Sequence, residues 1–147
     1  MGELIVTGVK LYQIEVKHNE KGNVFKFLSS ESEGFAGFGE AYISTVIPGA
    51  IKGWKRHSSS LTNILVVSGS IHFCFVEARN DVETKSIFLR PLADGFYRLT
   101  IERDVWFAFG SQSQGAGGLI LSITNEIHQP GEAETLPLDT FDFVWGN

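Results

Sequence analysis

The segment IPGAIKGWKRHSSSLTN, Ile47–Asn63, gathers Lys52, Lys55, Arg56 and His57 in a chain whose formal net charge is −5. Residue types this close together suit one kind of chemistry. Removing a proton from the carbon beside a ketone needs a base that titrates near neutrality, and the resulting enolate needs a fixed cation at its oxygen. His57 is the natural base. In an extended strand Lys55 shares its face, so the ammonium could hold the oxyanion. Lys52 and Arg56, helped by Arg90, Arg98 or Arg103, could bind a diphosphate. Unbroken alternation puts Lys52 and Arg56 on the face opposite Lys55 and His57, so a bulge or a partner subunit must bring one set round to the same pocket. The plainer reading of the cluster is a solvated basic strand face.

Other reactive groups offer less. The remaining histidines, His18, His72 and His128, form no close pair with His57 or with each other of the kind that shares a metal ion. The ligand pattern of metal-binding double-stranded β-helices, G-x5-H-x-H-x3–4-E-x6-G, can be laid on Gly49–Gly69. It meets Lys55 at its first histidine and His57 at its second, with no glutamate from Ser58 to Ser68. A protonated ammonium cannot ligate a divalent cation, so the expectation is a metal-free pocket with no cofactor. GAGG, Gly115–Gly118, lacks the lysine and the following helix of a phosphate loop and reads as a hairpin turn. Cys74, the only cysteine, sits in IHFCFVE as a small core residue, and Ser58–Ser60 carry no nucleophile elbow. Trp106 in WFAF is either a flat apolar wall for a sugar or base ring or a core side chain. His72 reads as a packed strand residue and His128 as a loop residue.

What must hold these groups is β-structure. At 147 residues the chain is expected to form one domain with a real core. VKLYQIEVK (Val9–Lys17) alternates, NEKGN supplies a hairpin turn, and VFKFLSS follows. After the Gly-rich loop SESEGFAGFGE come EAYISTVI (Glu40–Ile47), a Pro48-Gly49 turn and AIKGWKRH (Ala50–His57). NILVVSGSIHFCFVEA is one long β-rich stretch broken at Ser68–Ser70, and RNDVET turns the chain again. KSIFLRPL, FYRLTI, DVWFAFG and GLILSIT then recur at the short spacing of a β-sandwich or barrel. The acidic tail is expected to pack through Phe141, Phe143 and Trp145. The mildly acidic charge argues against a general nucleic-acid or membrane-surface binder. No run of signal-peptide or transmembrane length occurs, so a cytoplasmic protein is expected.

The order of segments resembles a known family. IPGAIKGWKRH, TNILVVSGSIHFCFVEAR, YRLTIERDVWFAF, NEIHQPGEAE and LDTFDFVW, within about Phe38 to Trp145, are similar to the dTDP-4-dehydrorhamnose 3,5-epimerases. The similarity is strongest to their shorter epimerase-like branch, found with polysaccharide and lipopolysaccharide sugar synthesis, and extends to the nucleotide-sugar 3,4-ketoisomerases. The resemblance implies an all-β double-stranded β-helix, the cupin jelly roll, as a single domain over residues 1–147. It also implies no metal, a homodimer sharing N-terminal strands, and a nucleotide-linked 4-keto sugar (a dTDP-sugar) as ligand. Asn63, Trp106, Asn125 and His128 become candidate lining residues on this basis.

Residue by residue the match is partial. In the ketoisomerases an H-x-H stands where Lys55-Arg56-His57 stands here, which pairs His57 with a functional histidine. Alignment on Gly53 with the epimerases' R-G-L-H places Lys52 at the phosphate-binding arginine and Lys55 at the base. The family's lysine falls at Thr62 or, with a slip of one residue, at Asn63, and its A-H-G-F histidine falls at Phe107. Its tyrosine falls near Glu126 or Ile127, whereas this chain's tyrosines, Tyr12, Tyr42 and Tyr97, all come earlier. Two functional expectations follow. One is an epimerase or isomerase of a nucleotide-activated 4-keto-6-deoxy sugar, with His57 as base, Lys55 as enolate stabiliser, and Lys52 and Arg56 on the phosphates. The other is an accessory protein that binds the sugar nucleotide without turning it over. A metal-dependent oxygenase of the same fold is set aside by the missing ligands.

Overall fold

A computed structural model describes residues 2–76 and 84–145. Its strands are β1 (Glu3–Val6), β2 (Val9–Gln13), β3 (Glu15–Lys17), β4 (Val24–Lys26), β5 (Glu40–Val46), β6 (Ile51–His57), β7 (Thr62–Gly69), β8 (Ile71–Val76), β9 (Thr84–Leu89), β10 (Tyr97–Ile101), β11 (Trp106–Gly110), β12 (Gly118–Thr124) and β13 (Ala133–Thr135). A one-turn helix, α1 (Pro91–Asp94), precedes β10, and a 3-10 turn covers Leu138–Thr140. Pairing is antiparallel throughout, in a six-stranded sheet ordered β1-β2-β10-β7-β12-β5 and a five-stranded sheet ordered β13-β6-β11-β8-β9. The ribbon β3–β4 closes through NEKGN, as expected. Two antiparallel sheets wrapped around one core make the double-stranded β-helix, or cupin jelly roll.

Alternation along each strand decides where the core sits. Ile64, Val66, Leu99, Ile101 and Ile120 of the larger sheet meet Ile71, Phe73, Phe75 and Phe107 of the smaller. Each such side chain stabilises the fold by about 1.5–3 kcal/mol when fully buried. The other face of the smaller sheet is covered as well. Trp54, Cys74, Val76, Trp106 and Ala108 pack beneath Leu136, Phe141, Phe143 and Trp145 of the tail. That second cover explains why IHFCFV is apolar at nearly every position: β8 is buried on both sides.

Some local expectations need correction. GAGG is not a hairpin turn, because β11 and β12 lie in opposite sheets and the loop crosses between them. The Pro48-Gly49 turn forms where expected, closed by the Ala50 N–H donating to the Ile47 carbonyl at 3.0 Å, and carries the chain from β5 in one sheet to β6 in the other. Closing a two-sheet barrel requires consecutive strands to change sheets at such corners. The run Val9–Lys17 breaks at Ile14, which is buried and gives its backbone N–H to the carbonyl of Phe96 at 3.2 Å. The turn expected at RNDVET lies outside the described residues apart from Thr84, which opens β9. Among the described residues no helix is long and apolar enough to cross a membrane.

Candidate active site

Strand β6 carries the basic cluster, and an irregularity in it decides which side chains meet. Phe107 of β11 stands opposite Lys55, yet Phe109 stands opposite Lys52, so two steps along β11 span three along β6. The extra residue is a β-bulge, which reverses the alternation. Lys52, Lys55 and His57 therefore line one cavity of 230 Å3, together with Gly53, Phe107 and Phe109. Gly53 makes the bulge possible. It has φ +143°, and a Cβ there would lie 2.4 Å from the Cβ of Ala108. Arg56 stays on the other side of the sheet. Its guanidinium lies 4.9 Å from the centroid of the Trp106 ring and donates to Glu134 Oε1 at 2.7 Å.

His57 does not stand alone. Its Nδ1 lies 2.7 Å from Oε1 of Glu132, a buried carboxylate in the loop before β13. Because a carboxylate only accepts, Nδ1 carries the proton and Nε2 is the nitrogen left for a ligand. The other carboxylate oxygen accepts from the backbone N–H groups of Ser59 at 3.1 Å and Ser60 at 3.2 Å. Ser58 adds its hydroxyl, donating to the Glu132 carbonyl at 2.8 Å. Burial works to raise the Glu132 pKa, but the hydrogen bonds from His57 and from the two serine amides, with the imidazole's charge, outweigh it and hold the value at about 2. The serine run is thus a cradle for the carboxylate that orients the base.

The opposite wall belongs to the six-stranded sheet, which presents Tyr42 and Ser44 from β5, Ser122 from β12, and Thr62 and Ile64 from β7. Burial raises the Tyr42 pKa, against the lowering effect of its hydrogen bond with Ser122 and with a further rise from Glu40. The phenol therefore stays protonated at neutral pH and can donate. Tyr42, Lys55 and His57 also border an adjoining cavity of 220 Å3, lined further by Glu40, Ser60, Thr124, Glu126, His128 and Glu132. Lys52 reaches across to β5, where its ammonium donates to the Thr45 carbonyl at 2.7 Å. Among the described residues no group of three or more His, Cys, Asp or Glu side chains gathers as metal ligands do.

Of the residues singled out in the sequence, Lys52, Lys55 and His57 converge, and His128 borders the adjoining cavity. Arg56, Asn63, Trp106 and Asn125 are turned elsewhere. Asn63 is a one-residue step from Thr62 and so faces outward, accepting from Arg98 at 2.6 Å and donating to the Gly34 carbonyl at 3.1 Å. Trp106 is buried beneath the tail rather than exposed as a wall for a ring. Asn125 Oδ1 accepts the Leu61 backbone N–H at 2.8 Å, which fixes a loop. Arg98 is buried on the outer face over the Tyr12 ring, far from a role on diphosphate in this cavity. Cys74 is a core residue: burial pushes its thiol up to about 12, against hydrogen bonds with Thr84 and Phe75. Glu132 and Tyr42 border these cavities although no sequence spacing picks them out.

Neither a family model nor a curated protein matches the sequence. Solved structures do. A dTDP-sugar isomerase from Desulfovibrio desulfuricans is 30% identical, with 97% of this chain and 94% of that one covered at a TM-score of 0.85. A 3'-monoepimerase from Streptomyces bikiniensis, solved with dTDP, is 14% identical over 95% of this chain and 74% of its own, at 0.81. A 3,4-ketoisomerase from Thermoanaerobacterium thermosaccharolyticum, solved with TDP-4-keto-6-deoxyglucose, is 18% identical over 88% of each chain, at 0.73. The last two likenesses concern the fold, whereas the first extends to sequence over almost the full length of both chains. The chain therefore belongs to the dTDP-4-dehydrorhamnose 3,5-epimerase-like (RmlC-like) cupin family.

Proposed function

We propose that this protein is an isomerase or epimerase of a nucleotide-linked 4-keto-6-deoxy sugar, a dTDP-sugar by preference, and that it works by enolisation. The observation that carries the reading is the His57–Glu132 pair, 2.7 Å apart, at a cavity that also holds Lys55. The ligands of the solved relatives support the substrate class.

In the proposed reaction Nε2 of His57 takes the proton from the carbon beside the ketone, C3. The C–H electrons become a C3=C4 double bond and the carbonyl electrons move onto O4. The Lys55 ammonium holds the charge that develops there, and Tyr42 can donate its phenolic proton to O4. If His57 returns its proton to C4 while the C3 hydroxyl gives its proton back to Tyr42, the 3-keto isomer forms. If Tyr42 keeps its proton while Lys55 alone holds O4, and then gives that proton to C3 on the side away from His57, the O4 electrons return to the carbonyl and the 3-epimer forms; the imidazolium then loses a proton to solvent and the phenolate takes one up, which restores both groups. Both routes conserve every atom and electron. Glu132 keeps Nε2 as the lone-pair nitrogen and stabilises the imidazolium between the two proton transfers. Lys52 is the cation proposed for the diphosphate.

The proposal extends to a cytoplasmic homodimer serving polysaccharide or lipopolysaccharide sugar synthesis. Support for an association surface comes from Phe38 at 66%, Ile43 at 66% and Ile47 at 70% exposure, all within or flanking the edge strand β5; sedimentation equilibrium checks it. The reaction is tested by proton NMR of dTDP-4-keto-6-deoxyglucose with the protein in D2O. Loss of the C3 or C5 signal that depends on His57 supports enolisation and identifies the carbon. Line broadening without exchange would turn the reading to an accessory protein that only binds. Neither exchange nor broadening would remove this substrate.

A further inference from the structure

Thr62 is 2% exposed, and it lines the cavity across from the cations of β6. Its hydroxyl has no hydrogen-bond partner among the described residues. Thr124, two residues along the same wall from Ser122, is engaged, donating to the Glu126 carbonyl at 2.7 Å. A buried hydroxyl left without a partner is costly, and valine would fill the same volume without that cost. The position is therefore built for something that enters the cavity. A hydroxyl both donates and accepts, and a sugar ring hydroxyl answers both capacities at once.

Resting on the function proposed above, we infer that Thr62 is a specificity-determining residue that hydrogen-bonds one ring hydroxyl of the sugar, so fixing which face of the ring is turned toward His57. The wall opposite the base carries neutral hydroxyls at Thr62 and Ser122, and a ring seated between the walls meets a base on one side and a hydroxyl reader on the other. Binding of such a ligand would satisfy the Thr62 oxygen without rearrangement of the strand.

The test measures affinities of dTDP-glucose and its 2-deoxy, 3-deoxy and 4-deoxy congeners by calorimetry, for wild type, Thr62→Val and Thr62→Ser. Thr62→Val should bind dTDP-glucose about three- to tenfold more weakly. For one congener, the one lacking the hydroxyl that Thr62 reads, the two proteins should be equal, and Thr62→Ser should restore the difference. An equal penalty on all congeners, or none on any, overturns the inference while leaving the proposed function intact. Absence of dTDP-glucose binding by the wild type overturns the inference, whereas the proposed function stands or falls on the exchange assay with the 4-keto sugar. A melting temperature of Thr62→Val several degrees below wild type would also overturn it, by showing that the hydroxyl has a partner within the protein.

Discussion

Replacing Glu132 by glutamine changes one atom of a buried carboxylate that accepts from His57, Ser59 and Ser60. The amide must place an N–H where an acceptor is needed, against either the imidazole or the serine amides. A carboxyl held near 2, against about 4.3 for an ordinary glutamate, contributes about 3 kcal/mol to stability at neutral pH, at about 1.4 kcal/mol per pH unit. The sign follows from a depressed folded-state pKa. The contribution is complete above the unfolded value and is lost as pH falls from there toward 2. Urea denaturation should therefore find Glu132→Gln about 3 kcal/mol less stable at pH 6 to 7, with about 2 kcal/mol of that gap gone by pH 3. A gap of the same size at both pH values would show that Glu132 acts through packing and not through its charge, and the reasoning would fail. The same substitution frees Nδ1 to become the acceptor and moves the proton to Nε2. Exchange at C3 should then fall by a factor on the order of 10^2–10^4, which the D2O assay reads directly.

Gly53→Ala puts a methyl group 2.4 Å from the Cβ of Ala108 on a backbone at φ +143°; chemical denaturation should show a loss of about 2–5 kcal/mol. Lys55→Ala should lower kcat roughly 10^2- to 10^3-fold with little change in KM, as loss of an enolate contact does. Lys52→Ala should chiefly raise KM, and steady-state kinetics on the two variants separates the roles; the reverse pattern would exchange them. Cys74 is fully buried with its thiol near 12, so Ellman's reagent at about pH 8 should leave the folded protein unlabelled and react with one thiol per chain in urea.

Much of the fold is readable from alternation. The strands around Tyr42, His57, Phe73 and Leu121 fall where the period-2 pattern places them, because a sheet buried on one face demands it. What alternation cannot show is a bulge. The pattern puts Lys52 behind the sheet, and the single extra residue at Gly53–Trp54 brings it to the front while leaving Arg56 behind. Parity also separates Thr62, which faces inward, from Asn63, which does not, although the two are equivalent in composition terms. Glu132 was hidden by distance: it lies 75 residues from His57, and no local spacing joins them. A usable signal was the serine run directly after the histidine, whose successive N–H groups suit a carboxylate. Tyr42 is hard to read from sequence because the resemblance places its tyrosine late in the chain. Antiparallel pairing of β5 with β12 sets Tyr42 opposite Ser122, so an early strand fills a place near a late one.

The cover over β6 has a consequence for synthesis. The partners of its residues lie far downstream: Glu132 is 75, Glu134 is 78 and Leu138 is 84 residues from the side chains they hold. At a translation rate of about 5–20 residues per second, His57 leaves the ribosome roughly 4–15 s before its carboxylate does. Throughout that interval the imidazole has no fixed tautomer and Trp54 has no roof. A chain interrupted before Glu132 therefore lacks the carboxylate that orients His57, however much of the barrel it already contains. The walls of the cavity, from Tyr42 to Ser122, are thus synthesised before the group that orients its histidine, and the His57–Glu132 pair forms as a late event.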